Sequence, residues 1–235
     1  MIARLLFASL FCAGLPLAQS SGPTEYLDAA RKAEQSGDLP RAEAIYERIL
    51  AANPSADLYQ RLGLVRHLQN KFPEAGKAFN EALRLSPGLW TSHLFLGIDY
   101  YRMNRFAEAL THLESADRLR PGQTETHFWL GAAHLALRQY WKGFEEMETV
   151  LEKDPANADA LRLLAESYAD RGTQLLNQVA EKYPDSAAGL EVQGRAFEFD
   201  GAYEAALQCY RAAAAKDPKR KGIKDAIARL ASRTQ

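Results

Sequence analysis

Residues 90–123 read WTSHLFLGIDYYRMNRFAEALTHLESADRLRPGQ, and versions of this unit fill most of the chain. The clearest sign of the period is a proline near the end of each unit, at a nearly constant spacing with one shorter interval. A period of about 34 residues is typical of helical repeats, in which pairs of helices stack because one pair alone cannot bury its apolar faces. We therefore expect an all-α solenoid. The prolines are Pro54, Pro87, Pro121, Pro155, Pro184 and Pro218.

Small residues recur at two fixed positions of the unit. Gly97 is at the eighth position and Ala109 at the twentieth, and the bulky Leu113 follows four residues later on the same helical face. A glycine inside a helix costs roughly 1 kcal/mol relative to alanine, so its recurrence indicates a close approach between the two helices of a unit. The equivalent residues are Gly63, Gly131 and Gly194; Ala42, Ala75, Gly143 and Ala206; and Tyr46, Phe79, Met147 and Tyr210.

Residues that tolerate a left-handed backbone occupy the fifteenth position, between the two helices of each unit. They are Gly37, Asn70, Asn104, Gly172 and Gly201, and Arg138 is the exception. The pattern predicts six helix-turn-helix repeats, at residues 23–55, 56–89, 90–123, 124–157, 158–186 and 187–218. The apolar stripe of Ile223, Ile227 and Leu230 predicts a capping helix within residues 219–235.

The fifth repeat is shorter than the others. The interval from Gly172 to Pro184 is smaller, by more than one helical turn, than the equivalent interval from Asn104 to Pro121. We interpret this as a first helix that ends at Gly172 and a second helix, about residues 174–182, that has lost a turn or more. This interpretation predicts a local bend or a weak seam between repeats one to four and repeat six.

Residues 1–20 have the pattern of a secretory signal peptide. Arg4 is their only charge, an apolar run follows it, and small residues precede possible cleavage sites after Ala18 and after Ser20. The apolar run is shorter than the roughly 20 residues that span a bilayer, so a permanent anchor is not expected. We expect export from a bacterial cell into the periplasm or the medium.

Charge and cysteine content restrict the class of partner. The whole chain has 29 basic and 30 acidic residues, and loss of Arg4 with the leader makes it slightly more acidic. This balance argues against a nucleic-acid partner, which usually requires a basic domain. Cys209 is the only cysteine after the leader, so no intramolecular disulfide can form and packing must supply the stability.

The recurring motifs resemble the tetratricopeptide repeat over nearly all of the mature chain. This resemblance implies a right-handed superhelix whose concave face is lined by the first helix of each pair. It also implies that partner peptides contact positions two, five, nine and twelve of those helices. The motifs are Tyr59-x-x-Leu62-Gly63 with Ala75, Phe79 and Pro87; His93-x-x-Leu96-Gly97-x-x-Tyr100 with Ala109 and Pro121; and His127-x-x-Leu130-Gly131-x-x-His134 with Met147 and Pro155.

Those helix positions give the candidate partner-binding residues. They are mostly apolar in repeats two to four and charged toward the ends, as at Arg31 and Glu198. An apolar groove with a polar rim suits an amphipathic helix or an extended apolar segment. The alternative is that some of these side chains pack successive first helices together. The candidates are Leu64, His67, Leu94, Ile98, Tyr101, Phe128 and Leu135.

The sequence offers no motif for catalysis, a metal or a cofactor. It has no His-Glu-x-x-His, no paired cysteines and no glycine-rich phosphate loop. His93, His127 and His134 occupy positions that hold tyrosine in other repeats, so we expect them to be packing residues. We predict an exported, non-enzymatic scaffold or adaptor that binds a protein segment in its concave groove. The alternative is a self-associating structural subunit of an envelope complex.

Overall fold

The structure, a computed structural model, describes residues 23–232, and every regular element within them is an α-helix. The predicted signal peptide lies outside the described residues. The chain divides into two compact units, residues 1–121 and 122–235. None of the described helices combines the length and the apolar character needed to cross a membrane. The all-α fold predicted from the sequence is confirmed.

The first unit consists of three helix pairs. In each pair the two helices contact one another, and the second helix of one pair contacts the first helix of the next. The first helices begin at residues 23, 56 and 90, which are the first residues of the predicted repeats. The helices are α1 (Pro23–Gln35), α2 (Leu39–Ala52), α3 (Ala56–Leu68), α4 (Phe72–Leu85), α5 (Trp90–Arg102) and α6 (Phe106–Leu119).

The second unit contains two helix pairs, one long unpaired helix and a short terminal helix. α7 packs with α8 and α10 packs with α11, while α9 lies between the two pairs in sequence and contacts α7, α8 and α10. The helices are α7 (Thr124–Ala136), α8 (Tyr140–Lys153), α9 (Ala158–Lys182), α10 (Ala187–Phe199), α11 (Tyr203–Lys216) and α12 (Ile223–Ala231).

The turn inside each helix pair is made by one residue in the left-handed conformation. The φ angles of these residues lie between 58° and 77°. The prediction is confirmed at four positions, and Arg138, which the sequence marked as an exception, adopts the same conformation with φ of 58°. The turn geometry therefore overrides the usual preference for glycine or asparagine. The four confirmed positions are Gly37, Asn70, Asn104 and Gly201.

The recurring glycine lies against the bulky residue of the second helix. A methyl group added to Gly97 would lie 2.6 Å from Leu113 Cγ and 3.2 Å from the carbonyl oxygen of Ala109. The same addition at Gly63 would meet the ring of Phe79 at 2.5 Å. Leu113 and Phe79 are fully buried, and burial of such side chains contributes about 1.5–3 kcal/mol each. The close approach inferred from the sequence is confirmed.

The predicted two-helix form of the fifth repeat is wrong. α9 runs without interruption from Ala158 to Lys182, and Gly172 is an ordinary helical residue within it. This repeat is five residues shorter than the repeats around it, which exceeds the three residues that separate the two helices in each of the other pairs. Without such a separating segment the first helix continues directly into the segment that corresponds to the second helix.

The terminal helix α12 covers the end of the last helix pair, as the stripe in the sequence predicted. Ile223 and Leu230 are buried, and with Ala226 they join a cluster that includes Leu207 and Tyr210 of α11. A terminal helix of this kind shields apolar surface that a further repeat would otherwise cover.

Glu43 of α2 is the centre of an ionic network in the first unit. Its carboxylate accepts hydrogen bonds from Arg66 Nε at 2.8 Å, Lys71 Nζ at 2.7 Å and Gln69 Nε2 at 2.9 Å. Burial alone would raise the pKa of Glu43, but these hydrogen bonds outweigh it and lower the pKa to about 2. The network connects α2 to the end of α3 and the turn that follows.

Candidate partner-binding groove

A cavity of about 610 Å³ opens between α1, α2 and α3 in the first unit. α3 contributes Asp57, Gln60 and Leu64, which are spaced by three and four residues and therefore share one helical face. α1 contributes Leu27 and Arg31, one turn apart. The inner positions of two successive first helices thus line one cavity. The remaining lining residues are Ile49, Asn53, Ser55, Leu58 and Arg61.

The lining combines apolar side chains with two guanidinium groups and the carboxylate of Asp57. Arg31 Nη1 lies 3.8 Å from Asp28 Oδ1, and Arg61 Nη1 lies 3.4 Å from Glu34 Oε2. These separations are long for ion pairs, and the arginine side chains are 48% and 40% exposed, so the pairs are weak. The cavity can therefore receive an apolar side chain while the arginines attract acidic groups beside it.

The second unit has several cavities, each smaller than that of the first unit, and one of about 350 Å³ lies beside α7. Phe128 and Trp129 of α7 form part of its wall, and their rings meet edge to face with centroids 5.3 Å apart. Glu125 and Asp159 place carboxylates at the same cavity. Its chemistry, aromatic with acidic groups, differs from that of the cavity in the first unit.

The predicted site residues have different environments. Leu64 lines the cavity of the first unit and Phe128 lines the cavity beside α7. The ring of Tyr101 is half-buried and packs against Phe106 at 5.2 Å. His67 is also half-buried and is occupied by a hydrogen bond to Asp99. For these four residues, contact with a partner stays a prediction.

Three of the predicted groove residues are buried in the structure. Leu94 is 2% exposed, Ile98 3% and Leu135 8%. A methyl group added to Gly143 of α8 would meet the side chain of Leu135, so Leu135 packs inside its own helix pair. Their burial favours the alternative that these side chains pack helices together, and their contact with a partner stays a prediction. The first helices α3 and α5 contact each other, and such packing buries positions that would face a partner in a more open array.

His67 and Asp99 form a polar pair between successive first helices. Nδ1 of His67 lies 2.5 Å from Oδ1 of Asp99, and the rings of Phe72 and Phe95 flank the imidazole. Asp99 is fully buried, and its Oδ2 has no partner among the described residues. Burial raises the pKa of Asp99, although the hydrogen bond with His67 acts in the opposite direction. This pair is a packing feature and not part of either cavity.

Three other histidines connect the two helices of a pair, and His134 bonds to Gln139 in the turn before α8. Nδ1 of His93 lies 3.1 Å from Nδ1 of His112, and Nδ1 of His127 lies 2.7 Å from Oε2 of Glu146. Burial lowers the pKa of His93, and burial with the nearby His93 lowers the pKa of His112 to about 4. Both members of the His93–His112 pair are therefore neutral near pH 7, as expected of packing residues.

The sequence did not identify several lining residues of the first cavity. Leu27 is at position five of the first repeat, so the rule that selected Leu64 could also have selected it. Ile49 belongs to α2, a second helix, and nothing in the repeat pattern assigns such a residue to the concave side. Its position in the cavity follows only from how α2 packs between the two first helices.

Several solved structures have similar folds, tetratricopeptide repeat proteins among them. MamA from Desulfovibrio magneticus RS-1 is 17% identical with a TM-score of 0.61, over 64% of this chain and 85% of that one. A tetratricopeptide repeat protein from Parabacteroides merdae ATCC 43184 is 15% identical with a TM-score of 0.56, over 89% and 98%. YrrB, described as having an unusual peptide-binding site, is 20% identical with a TM-score of 0.55, over 88% and 93%. At these identities the likeness concerns the fold alone.

Sequence comparison gives the family directly. None of the curated proteins matches the chain significantly. The profile of the family described as Tetratricopeptide repeat matches residues 27–89, 96–140 and 173–221, which together make up well over half of the chain. The third matched segment begins immediately after Gly172, so the second half of α9 has the sequence character of a repeat even though it continues the preceding helix. The chain belongs to the tetratricopeptide repeat family.

Proposed function

We propose that this chain is an exported adaptor that binds a segment of a partner protein in the cavity between α1, α2 and α3. The observation that carries this proposal is the cavity itself, whose walls include positions five and nine of two successive first helices. The family resemblance assigns partner contacts to those positions. An opening of about 610 Å³ has room for several side chains of a bound segment.

The lining indicates the chemistry of the segment. Leu27, Leu58 and Leu64 offer apolar contact, which favours an aliphatic or aromatic anchor on the partner. Arg31 and Arg61 add positive charge at the same opening, which favours acidic residues beside the anchor. We therefore propose an amphipathic helix or extended segment that carries an apolar anchor flanked by Asp or Glu.

Crosslinking in the native cell tests the binding site. A photoreactive amino acid replaces Gln60, which lines the cavity, and captured proteins are identified by mass spectrometry. The same capture is repeated in a Leu64→Asp chain and in a Leu68→Asp control. Leu68 is on the same helix and 62% exposed but does not line the cavity, so Leu68→Asp adds the same charge as Leu64→Asp without contacting the site.

We expect that one protein is captured by the wild-type chain and by the Leu68→Asp chain but not by the Leu64→Asp chain. A synthetic peptide from the captured region should then bind the purified chain, and binding should weaken in an Arg31→Ala, Arg61→Ala variant and at high salt. Equal capture by both aspartate variants, each shown to be folded by circular dichroism, would reject the cavity as the binding site.

Export is proposed from the pattern of residues 1–20. Cell fractionation with N-terminal sequencing of the mature chain tests it. The expected mature chain begins at Gln19 or Ser21, according to which of the two cleavage sites is used. A chain that retains residues 1–20 and stays in the cytosolic fraction would overturn this part of the proposal and leave the binding site unaffected.

A further inference from the structure

α9 carries an exposed apolar stripe from Leu161 to Leu176. Leu161 is 48% exposed, Tyr168 50%, Leu175 46% and Leu176 42%. Leu161, Tyr168 and Leu175 are seven residues apart, so they lie on one side of the helix. Ala165, on the same side, is also exposed. The ring of Tyr168 stacks on Phe144 of α8 with centroids 4.1 Å apart, yet Tyr168 and the three leucines each stay about half exposed. α9 packs against other helices with its buried residues Ala160 and Leu164.

In four other repeats the face that corresponds to Ala165 is covered by the second helix of the pair. The residue at that eighth position is a buried glycine, in contact with the bulky residue of the second helix. Ala165 is exposed because α9 has no second helix folded back onto it. The first half of α9 thus corresponds to the first helix of a pair whose second helix is absent from this face. The buried glycines are Gly63, Gly97, Gly131 and Gly194.

The second half of α9 has the residue pattern of the second helix of that pair. In the other five repeats, a small residue stands 12 positions and a bulky residue 8 positions before the terminal proline. Counting back from Pro184 gives Gly172 and Leu176, which match those two types. Both complementary surfaces are therefore present on one straight helix. They cannot meet within one chain, because Ala165 and Leu176 are separated by about 16 Å along the axis.

We propose that α9 pairs antiparallel with α9 of a second copy of this chain, so that the first half of each covers the second half of the other. The contacts inside the regular pairs fix the alignment: the eighth position meets the bulky residue, as Gly97 meets Leu113, and the twelfth meets the small one, as Leu135 meets Gly143. Applied to α9, these rules place Ala165 against Leu176 and Ala169 against Gly172 of the other copy. Both rules put the two-fold axis between Asp170 and Arg171.

A second copy is the occupant that satisfies the whole stripe. A helix from an unrelated partner could replace the missing second helix over Leu161 and Tyr168, but it would leave Leu175 and Leu176 exposed. The antiparallel copy covers both halves at once and repeats the same contact across the axis, as a two-fold interface requires. The arrangement is an exchange of the second helix of repeat five between two chains.

Disulfide trapping tests the alignment in the full chain after both native cysteines, Cys12 and Cys209, are replaced by serine. Chains carrying only Ala165→Cys are mixed with chains carrying only Leu176→Cys and then oxidised. The proposal expects a disulfide-linked dimer in the mixture and none with either variant alone. In the antiparallel pair, two copies of residue 165 are about 16 Å apart, beyond the reach of a disulfide.

A chain that carries both cysteines distinguishes the alternatives. A linked dimer supports the exchange. A disulfide within one chain would show that α9 bends back on itself and would overturn the proposal, as would the absence of any disulfide in a variant with wild-type helicity.

Sedimentation equilibrium supplies an independent measurement. The wild-type chain is expected to form a concentration-dependent dimer, and Leu176→Asp is expected to weaken it by about tenfold or more. Asn177→Asp places the same charge at the next residue, which is exposed and off the stripe, and should leave the dimer unchanged. A wild-type chain that stays monomeric, or equal weakening by both variants, overturns the proposal. Leu64→Asp should not affect the dimer, so the cavity and the α9 surface succeed or fail separately.

Discussion

A single added methyl group should have opposite effects at two helical glycines. At Gly97 the methyl carbon would lie 2.6 Å from Leu113 Cγ, 2.8 Å from Leu113 Cδ2 and 3.2 Å from the Ala109 carbonyl oxygen. Leu113 is fully buried, so neither it nor the backbone can move away cheaply. Overpacking of this kind costs about 2–3 kcal/mol, and the gain in helix propensity returns about 1 kcal/mol. Gly97→Ala should therefore destabilise the fold by about 1–2 kcal/mol.

Gly172 is the matched control. It also lies inside a helix, but no atom comes within 4 Å of the position its methyl group would take. Within the single chain only the propensity gain applies there, so at concentrations where the chain is monomeric Gly172→Ala should stabilise the fold by about 1 kcal/mol. For a chain of this size, the melting temperature should fall by roughly 2–8 °C in the first variant and rise by roughly 2–4 °C in the second.

Urea and thermal unfolding followed by circular dichroism in the far ultraviolet provide the assay. A double-mutant cycle identifies the cause: in a Leu113→Ala background the clashing atoms are absent, so Gly97→Ala should become neutral or stabilising, with a coupling of about 1 kcal/mol or more. A Gly97→Ala chain that is as stable as wild type, or a destabilisation that persists without Leu113, would refute the close-packing explanation.

Three further predictions concern ionisable groups. The pKa of Glu43 is lower in the folded chain than in the unfolded chain, so the free energy of unfolding should fall by about 1–2 kcal/mol as the pH drops from 4.5 through about 2. Glu43→Gln should reduce this loss in acid-unfolding curves. An unchanged curve would count against the network with Lys71. Burial and His93 lower the pKa of His112 from 6.5 to about 4, so stability should also fall over that interval, and His112→Phe should flatten the corresponding part of a urea-midpoint pH profile. Burial raises the pKa of the Cys209 thiol, so less of it is thiolate in the folded chain. Iodoacetamide should therefore alkylate it at least about tenfold more slowly in the folded chain than in urea. Equal rates would contradict this.

The features that recur in every repeat could be predicted from the sequence. The prolines end each second helix because the residue before a proline is forced out of the helical region, and six copies at one period distinguish this signal from chance. The glycine and its bulky partner could be paired in the same way, since their spacing is constant. Arg138 shows the limit of residue preference, because the geometry of the turn imposes a positive φ on a residue that rarely adopts one.

The continuous helix of the fifth repeat and the burial of groove positions could not be predicted from the repeat period alone. Gly172 can be counted from the start of its repeat as a turn residue, or from Pro184 as the small residue of a second helix, and the structure agrees with the second count. Leu94 and Ile98 occupy the positions expected to face a partner, but their burial depends on how closely neighbouring first helices pack. That distance is set by all the side chains of the interface and not by any one position.

The uninterrupted α9 also has an evolutionary consequence. Five residues separate this helix from an ordinary helix pair, and the rest of the pair is already encoded on either side of Gly172. A short in-frame insertion at that point could supply a turn, so that the second half of α9 folds back onto the first half, without any change to a core residue. If α9 pairs with a second copy as proposed, gain or loss of this inter-helix turn is a small genetic step that would change whether the protein assembles with itself.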